Sequence, residues 1–392
     1  MDDHAGQPRD TALAGSASQR TGGGRGDGLI LNIALFSNQF AGSKGFGLAR
    51  YARELHGALS VRPGLNVVPV AAWSDRADPS ETGALLLPTG RRGTSLAWTF
   101  LGAPALERLT SFTPDVVHAA SLGYPVATKK PFVVTVHDLG PLTHRAFFRK
   151  ARPFVMRRAL AQAARADAVV CVSAFAREEF LRVAGEGVRP RTHVVPEGAA
   201  PLPPADHDGL AALGLPKPFV LAVGQASPRK NFDGLVAALA RLGDAVPHHL
   251  VVAGGTGWDA GAFDAAIRDH HMADRVHKTG FVSDGVLAAL YARASAFALP
   301  SFYEGFGLPV LEAMAAGVPV IASNVSALPE VAGDAALLVD PSDTKALAGA
   351  LHAVLTDETL AGDMRDKGRA RAKKFSFAAA AAAMEQIYRA IS

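Results

Sequence analysis

Two glutamates flank a glycine-rich stretch late in the sequence. Glu304 and Glu312 lie eight positions apart and enclose the residues G-F-G-L-P-V-L. Pro309 suits the first position of a helix, because its missing N–H would be unpaired there. Glu304 is therefore predicted on a loop and Glu312 in the first helical turn. The backbone N–H groups of the intervening residues would point into the same space, namely those of Gly305, Phe306, Gly307 and Leu308.

A helix N-terminus favours anions, and phosphate in particular. Two acids for sugar hydroxyls beside amides for phosphate therefore indicate a nucleotide-sugar site, although an acid near a helix start can also be a simple capping group.

A basic pair, Arg229 and Lys230, follows the predicted strand 218–223 and precedes a helix. Cations are unfavourable at that end of a helix unless an anion is bound. When a nucleoside diphosphate leaves a sugar, its negative charge grows, and cations stabilise that transition state more than the ground state. The pair is thus predicted to bind a diphosphate, the alternative being a solvated charge pair.

Four further polar side chains lie at or just after the ends of predicted strands. His137 ends the strand P-F-V-V-T-V, where an imidazole could hydrogen-bond a sugar or act near an acceptor. Asp138 either orients His137 or caps the next turn. His118 ends another strand, and Ser173 either faces the cleft or caps the following helix.

A glycine-rich loop, Ala41–Gly47, follows the first predicted strand and contains Gly45 and Gly47. It lacks the third small residue of a dinucleotide fingerprint, which disfavours a dehydrogenase. Glycine lets a backbone approach phosphate closely, but a plain strand-to-helix turn is the alternative.

The elements that must position these residues alternate between short apolar strands and longer helical stretches, twice along the chain. Continuous Val/Ala/Leu strands between helices predict parallel sheets covered on both faces. The predicted strands are 30–36, 66–71, 115–119, 131–136, 168–172, 192–195, 218–223, 248–253, 275–281, 296–299, 318–322 and 336–339. The predicted helices are 47–60, 147–165, 174–184, 231–242, 260–271, 285–293, 309–316, 343–356 and about 375–391. Two doubly wound α/β domains would bring the strand carboxyl ends to a shared cleft, where ligands bind.

Five segments are predicted along the chain. Residues 1–28 are polar and glycine-rich and are expected to form a disordered tail. Residues 29–195 would form the acceptor domain, and 196–217, with five prolines, the linker. Residues 218–372 would form the nucleotide-sugar domain, and 373–392 a terminal helix.

Composition bounds the class of protein. A chain of 392 residues, 49% hydrophobic and 19% charged, fits two globular domains. The single cysteine, Cys171, allows no intramolecular disulfide, as expected for a reducing compartment. No apolar run reaches the roughly 18–20 residues that span a bilayer, and no secretory signal is evident. A cytoplasmic protein is therefore expected. The formal charge of +4 is a mild bias for this length and alone says little about nucleic acid, and no nucleic-acid partner is expected.

The segment 143–160 holds six arginines and lysines, no acid, and interleaved apolar side chains. Such a stretch either lies peripherally on an anionic membrane surface or forms a solvated helix with an ordinary buried face. A membrane contact would suit a lipid-linked acceptor.

A metal site is not expected. An Asp-x-Asp pair, Asp206 and Asp208, falls in the predicted linker away from the other motifs. His270 and His271 are adjacent, so on a helix they would point about 100° apart. We therefore expect no metal and no other cofactor besides the nucleoside-diphosphate sugar.

The complete block E-G-F-G-L-P-V-L-E resembles the signature of retaining glycosyltransferases of family 4, which have the GT-B fold. Other segments are similar to the same family, namely V-T-V-H-D-L at 134–139, V-S-A-F at 172–175, S-P-R-K-N-F at 227–232, and the downstream G-V-P-V-I-A-S and L-P-E-V-A-G-D. The resemblance runs from about residue 30 to the C-terminus and is dense from 219 to 341.

This resemblance implies metal-independent transfer of a hexose with retention of configuration. It implies that Glu304 binds the transferred sugar, that Glu312 binds the ribose, and that the acceptor attacks from the leaving-group side rather than through a protein nucleophile. The predicted catalytic residues are Glu304, His137, Lys230 and Arg229. The predicted donor-binding residues are Glu312, Gly305, Phe306, Gly307, Leu308, Gly45, Gly47 and Gln225.

The second half of the chain most resembles bacterial mannosyltransferases of O-antigen and exopolysaccharide assembly. Mannose from GDP-mannose is accordingly the first guess for the donor, and a polyprenyl-diphosphate-linked saccharide is the hypothesis for the acceptor. The resemblance also implies that the terminal helix crosses back to the first domain.

Two positions depart from the family pattern. Gln225 stands where many relatives carry an arginine, so that Arg229 would carry more of the charge. Glu197 stands in V-V-P-E-G where the family usually has asparagine, and nothing in the sequence accounts for it.

Two rival functions remain. One is a GT-B nucleotide-sugar epimerase or phosphorylase, which the glutamate block disfavours. The other is an inactive homologue that acts as a binding subunit, which the intact glutamates and basic pair disfavour.

Overall fold

Two parallel β-sheets organise the protein. The computed structural model describes residues 30–41, 47–74, 83–148, 153–255 and 261–392. The predicted N-terminal tail and Gly45 lie outside these ranges. Within them, every paired strand runs parallel to its neighbours.

The first sheet has seven strands in the order β3-β2-β1-β4-β5-β6-β7. They are β1 (Leu31–Phe36), β2 (Leu65–Trp73), β3 (Leu85–Gly90), β4 (Val116–Ala119), β5 (Phe132–Val136), β6 (Ala168–Cys171) and β7 (Thr192–Val194). The helices of this half are α1 (Gly47–Ser60), α2 (Arg91–Phe100), α3 (Gly140–Thr143), α4 (Pro153–Ala163) and α5 (Ala174–Ala184).

The second sheet has six strands in the order β10-β9-β8-β11-β12-β13. They are β8 (Phe219–Val223), β9 (His249–Ala253), β10 (Val276–Gly280), β11 (Ala296–Leu299), β12 (Val320–Ser323) and β13 (Ala336–Val339). The helices of this half are α6 (His207–Ala212), α7 (Phe232–Leu242), α8 (Gly261–Asp269), α9 (Asp284–Arg293), α10 (Leu308–Ala315), α11 (Leu328–Ala332), α12 (Thr344–Thr356), α13 (Glu358–Ala372) and α14 (Phe377–Ile391). Short 3₁₀ helices lie at Asn38–Ala41, Leu106–Arg108, Arg145–Phe147, Glu186–Arg191, Pro228–Lys230 and Gly243–Ala245.

The predicted fold class, two doubly wound α/β domains, is confirmed. The central strands are buried along their whole length, as in β4, β5, β6, β11 and β12. Continuous apolar strands can be buried on both faces only when helices cover both sides of the sheet, which is the arrangement that the sequence pattern predicts.

Several elements differ from the sequence-based expectation. Strand β3 was not predicted, because Pro88 interrupts its apolar run; β3 lies at the edge of its sheet, where a strand tolerates proline. Helices α2 and α13 were also missed. The helix predicted over 147–165 is shorter, since α4 begins at Pro153.

The predicted linker contains a helix. Asp206 caps α6 by accepting a hydrogen bond from the amide of Gly209 at 2.8 Å, and its own amide donates to the carbonyl of Gly285 at 2.9 Å. Asp206, the first residue of the Asp-x-Asp pair, therefore has a capping role in the structure.

The terminal helix α14 packs against α1 of the first domain. The hydroxyl of Tyr388 lies 2.7 Å from Nδ1 of His118, and Glu385 forms an ion pair with Arg62. At the start of α14 the backbone comes so close that a Cβ on Gly198 would lie 2.2 Å from the amide nitrogen of Phe377.

Candidate active site

The carboxyl ends of three strands converge where the two domains meet. His137 directly follows β5, Gly224 follows β8, and the segment that leads to Glu304 follows β11. The backbones touch here, because a Cβ on Gly305 would lie 1.9 Å from the carbonyl oxygen of His137. Only glycine fits at position 305, and this contact sets the glutamate block directly against the first domain.

The Glu304 carboxylate is buried between the two predicted cations. Its Oε1 lies 2.8 Å from Nζ of Lys230, and its Oε2 lies 2.7 Å from a guanidinium nitrogen of Arg229. Burial acts to raise the pKa of Glu304, but the two positive charges outweigh it and bring the value to about 2. Glu304 is therefore ionised at neutral pH, with both oxygens engaged.

Lys230 is held in place by its packing against the end of β8. A Cβ on Gly224 would lie 2.8 Å from Cε of Lys230, and the φ angle of Gly224 is 144°, which L side chains rarely adopt. Burial lowers the pKa of the Lys230 ammonium, and the charge of Glu304 offsets this only in part. A buried ammonium of this kind is suited to an anionic ligand.

The turn between Glu304 and α10 carries buried amides. Residues 305–308 are all buried, and among the described residues their backbone N–H groups find no hydrogen-bond acceptor. Gly307 has a φ angle of 107°, which fits glycine and turns the chain into α10. Buried amides normally have partners, so these N–H groups are suited to donate hydrogen bonds to an acceptor such as a phosphate oxygen.

Glu312 is buried in the first turns of α10 and pairs with a residue that sequence analysis did not select. Its Oε1 forms an ion pair with Arg50 of α1, and its Oε2 accepts a hydrogen bond from the hydroxyl of Tyr291 at 3.0 Å. Arg50 also contacts Asp284 at 2.5 Å. Burial raises the pKa of Glu312, against the opposing charge of Arg50.

The only sequence signal for Arg50 is its place directly after the glycine-rich loop, where α1 buries most of one face. Gly47 begins α1 and is exposed, and nothing lies within 4 Å of the position a Cβ would take there.

His137 is enclosed by polar partners. Its Nδ1 lies 2.8 Å from Oε1 of Glu197, and its Nε2 lies 2.9 Å from the carbonyl oxygen of Ala120. A hydrogen bond from this ring to a sugar would require one of these contacts to open. The predicted contact between His137 and substrate stays a prediction.

The remaining polar candidates have clear contacts. Ser173 has both of its expected roles, since its hydroxyl donates to the carbonyl of Gly305 at 2.7 Å and accepts from the amide of Ala176 at 3.0 Å. Asp138 caps the next turn by accepting from the amide of Gly140 at 3.0 Å. His118 is fully buried among Thr135 and Tyr388, and burial lowers its pKa to about 3.

Gln225 is exposed beside Gly224 and makes no side-chain hydrogen bond to any other described residue. It is placed next to the basic pair but does not replace the charge of an arginine.

The basic segment 143–160 divides into two parts. Arg149, Lys150 and their two successors lie outside the described residues. Phe147 stacks on Phe302 of the second domain with ring centroids 5.8 Å apart, and Phe148 contacts Tyr303 edge-to-face at 6.3 Å. These two aromatic residues therefore pack across the domain seam, whereas the membrane contact of the segment stays a prediction.

The second part of that segment exposes the side chain of Phe154. Phe154 of α4 stacks on Phe100 of α2 with centroids 5.6 Å apart. We call these two rings, with Leu96 and Leu101, the apolar face; their exposed fractions are 55%, 58%, 57% and 77%. No described helix has the length and apolar character needed to traverse a lipid bilayer.

The described residues include no cluster of three or more His, Cys, Asp or Glu side chains arranged to hold a metal ion. Metal independence remains a prediction.

Comparison with known proteins covers both halves of the chain. The family model described as glycosyltransferase family 4 matches residues 47–201, and that described as glycosyl transferases group 1 matches residues 211–374. The O-antigen chain mannosyltransferase B of Escherichia coli is 32% identical over 62% of the chain and 66% of its own length, just under two thirds. The D-inositol 3-phosphate glycosyltransferase of Xylanimonas cellulosilytica is 32% identical over 70% of the chain and 71% of its own length.

The sucrose-phosphate synthase of Thermosynechococcus elongatus is similar in structure, with a TM-score of 0.74 and 26% identity over 92% of the chain and 98% of its own.

Proposed function

The chain belongs to the glycosyltransferases of family 4, enzymes with the GT-B fold, and we propose that it transfers a hexose from a nucleoside-diphosphate sugar, with retention of configuration and without a metal ion. The observation that carries this proposal is the cation pair, a buried Lys230 and a partly buried Arg229, beside the amides of the buried residues 305–308, which have no acceptor among the described residues. Together they form a site complementary to a diphosphate.

Donor binding would redistribute the charges around Glu304. Without donor, its carboxylate forms an ion pair with each of the two cations. An arriving diphosphate offers Arg229 and Lys230 a second set of anionic oxygens, which frees Glu304 to accept hydrogen bonds from the hydroxyls of the transferred sugar. The cations then stabilise the charge that develops on the leaving diphosphate.

Glu312 is proposed to receive the ribose hydroxyls. Each of its oxygens already has one partner, Arg50 or Tyr291. Each carboxylate oxygen has a second lone pair, so ribose can be added without breaking the ion pair.

Retention is proposed to proceed without a protein nucleophile. In the proposed complex the oxygens of Glu304 accept hydrogen bonds from the hydroxyls of the transferred sugar, so they are not free to attack its anomeric carbon. In the proposed step the bond from the anomeric carbon to the diphosphate breaks and the bond to the acceptor oxygen forms on the same face. The proton of the acceptor hydroxyl passes to the departing phosphate oxygen.

Mannose is the proposed hexose and GDP-mannose the proposed donor. The similarity to a mannosyltransferase of O-antigen chains supports this choice. The acceptor is proposed to be a polyprenyl-diphosphate-linked saccharide, and the enzyme is proposed to act in the cytoplasm at the inner membrane surface.

A thermal-shift series with GDP, UDP, ADP and GDP-mannose tests the donor site. A nucleotide at 100 times its dissociation constant stabilises the folded state by about 2.7 kcal/mol, so GDP and GDP-mannose should raise the melting temperature most. Lys230→Met should abolish the shift. Lys278→Met is the matched control, because Lys278 pairs with Asp264 on the surface. Equal shifts in Lys230→Met and the wild type would refute the site.

The reaction is tested with radiolabelled GDP-mannose and a polyprenyl-diphosphate-linked saccharide. Transfer should depend on the acceptor, and Glu312→Ala should abolish it. Consumption of the donor with no acceptor present would contradict a transferase and favour another GT-B activity.

The apolar face supports the proposed membrane contact. Neither α2 nor α4 contains an acid, and Arg92 and Arg157 are exposed on these helices. Exposed apolar side chains on helices that also expose arginines are suited to an anionic bilayer surface. The joint variant Phe100→Ser and Phe154→Ser should therefore fail to sediment with vesicles that contain phosphatidylglycerol.

Phe281→Ser is the matched control, because Phe281 is as exposed as Phe154 but lies in the second domain. Sedimentation of the joint variant at the wild-type level would refute the contact.

A further inference from the structure

One buried acid–base pair plays no part in the proposed reaction. Glu197 follows β7 in the segment V-P-E-G, and His137 follows β5. Their side chains are 7% and 12% exposed and meet at 2.8 Å. This is the glutamate that replaces the asparagine usual in the resembling sequences.

The hydrogen bonds of the ring fix its protonation. A carbonyl oxygen only accepts, so the contact of Nε2 with Ala120 at 2.9 Å requires a proton on Nε2. An ionised carboxylate also only accepts. Beside an ionised Glu197, Nδ1 must therefore carry a second proton, and the net rise of the His137 pKa favours this imidazolium over a neutral ring beside a protonated carboxyl.

The other groups around the His137 ring do not disfavour its imidazolium form. Asp138 adds a negative charge at the next residue. Tyr51 of α1 meets the ring edge-to-face with centroids 4.5 Å apart, and burial raises its phenol pKa. His118 of β4 is neutral, because burial lowers its pKa to about 3.

Burial acts to lower the pKa of His137, but the hydrogen bond and charge of Glu197 outweigh it, so the net direction is upward.

The backbone on both sides of the pair is fixed. A Cβ on Gly198 would collide with the backbone of Phe377, and a Cβ on Gly305 would collide with the carbonyl of His137. Glu197 is thus held against the start of α14, while His137 is held against the turn that carries Glu304. The turn of Glu304 therefore contacts the backbone of the residue whose ring Glu197 holds.

We propose that Glu197 is a positioning residue for glycosyl transfer, which keeps the His137 imidazole doubly protonated and its ring fixed at the end of β5, where the backbone of His137 adjoins the turn of Glu304. The effect on transfer rests on the proposed function, but the protonation of the ring does not.

The proposal predicts the pH range of activity. A histidine whose pKa is raised keeps its proton to higher pH and loses it as the pH rises through the raised value. Without the carboxylate, only the contact with Ala120 and the charge of Asp138 oppose the effect of burial on the ring. An opposite charge at this distance moves a pKa by about 1–3 units, so the alkaline limit of transfer should move to lower pH by about that amount in Glu197→Gln.

Glu197→Gln is suited to this test because it preserves the packing. A glutamine can donate its amide hydrogen to Nδ1 of a neutral ring, while Nε2–H still donates to Ala120. The charge is lost and both hydrogen bonds remain. Glu197→Asp retains the carboxylate and should keep the limit near that of the wild type. Glu186→Gln is the matched control, because Glu186 is an exposed glutamate paired with Arg189.

Two measurements on the full chain decide the matter. Nitrogen-15 spectra of the histidine rings, assigned with His137→Asn, should show His137 as imidazolium at neutral pH in the wild type and as neutral imidazole in Glu197→Gln. The pH profile of kcat/KM for transfer from GDP-mannose should show the acid-ward shift in Glu197→Gln alone.

A neutral His137 ring in the wild-type protein overturns the proposal. This result does not depend on whether any variant folds. A uniform loss of activity with an unchanged pH limit in Glu197→Gln shows a merely structural role and also overturns it. An imidazolium in a wild-type protein that transfers no sugar supports the pair and refutes the proposed function instead.

Discussion

Glu304→Gln offers a quantitative test of the charge cluster. The substitution keeps the shape of the side chain and its contact with Ser301, 2.7 Å away, but removes the negative charge. Arg229 and Lys230 then remain close together without an anion. We expect the unliganded protein to lose stability and the nucleotide to bind more tightly, because the diphosphate no longer competes with a carboxylate.

The magnitude follows from the pKa of Glu304. The value falls from 4.5 to about 2, and each unit corresponds to 1.36 kcal/mol, which gives about 3 kcal/mol. This agrees with about 3–5 kcal/mol for removal of one partner of a buried pair. At about 2–4 °C per kcal/mol for a domain of this size, the melting temperature should fall by about 6–12 °C.

The sign of the pH dependence is also defined. A carboxyl group whose pKa is lowered on folding contributes stability above its unfolded value and loses it as the pH falls through its folded value. The wild type should therefore lose the contribution of Glu304 as the pH falls from about 4.5 to about 2, and Glu304→Gln should lack that part of the slope.

Differential scanning calorimetry with and without GDP measures both effects. Glu358→Gln is the control, since Glu358 forms an exposed ion pair with Arg365 and its loss should leave the melting temperature unchanged. The reasoning fails if Glu304→Gln melts at the wild-type temperature, or if GDP shifts the variant no more than the wild type.

Three further substitutions test the seam between the domains. Arg50→Met should cost about 3–5 kcal/mol in a urea titration, because Glu312 is left buried and unpaired; an unchanged midpoint would contradict the buried pair. Gly305→Ala should abolish transfer and widen the particle in small-angle scattering, since its Cβ would lie 1.9 Å from the His137 carbonyl oxygen, and full activity would refute that contact. Ser173→Ala should cost about 1 kcal/mol through its lost cap, and an unaltered denaturation curve would speak against it.

The glutamate side of the site could be predicted because its information is local. Glu304, the glycine turn and α10 lie within a dozen residues, so turn chemistry and helix capping determine their relative placement. The basic pair was likewise recognisable from its position between a strand and a helix. The alternation of apolar strands and helices was sufficient for the fold class.

The contacts that sequence analysis missed join segments that are distant in the sequence. Arg50 and Glu312 are 262 positions apart, and His137 and Glu197 are 60 apart. No periodicity relates such residues, since their meeting depends on how the domains and loops pack. The contact of Phe147 with Phe302 could not be predicted for the same reason, because aromatic rings between arginines resemble a surface whether or not another domain covers them.

The return of α14 to the first domain has a consequence for synthesis. About 180 residues separate β7 from α14, and a ribosome adds about 5–20 residues per second. The first domain therefore waits about 10–40 s for the helix that covers α1, and during that time the second domain is made and can fold. Until α14 is made, α1 lacks the helix that covers it, and the contacts of Glu385 with Arg62 and of Tyr388 with His118 cannot form.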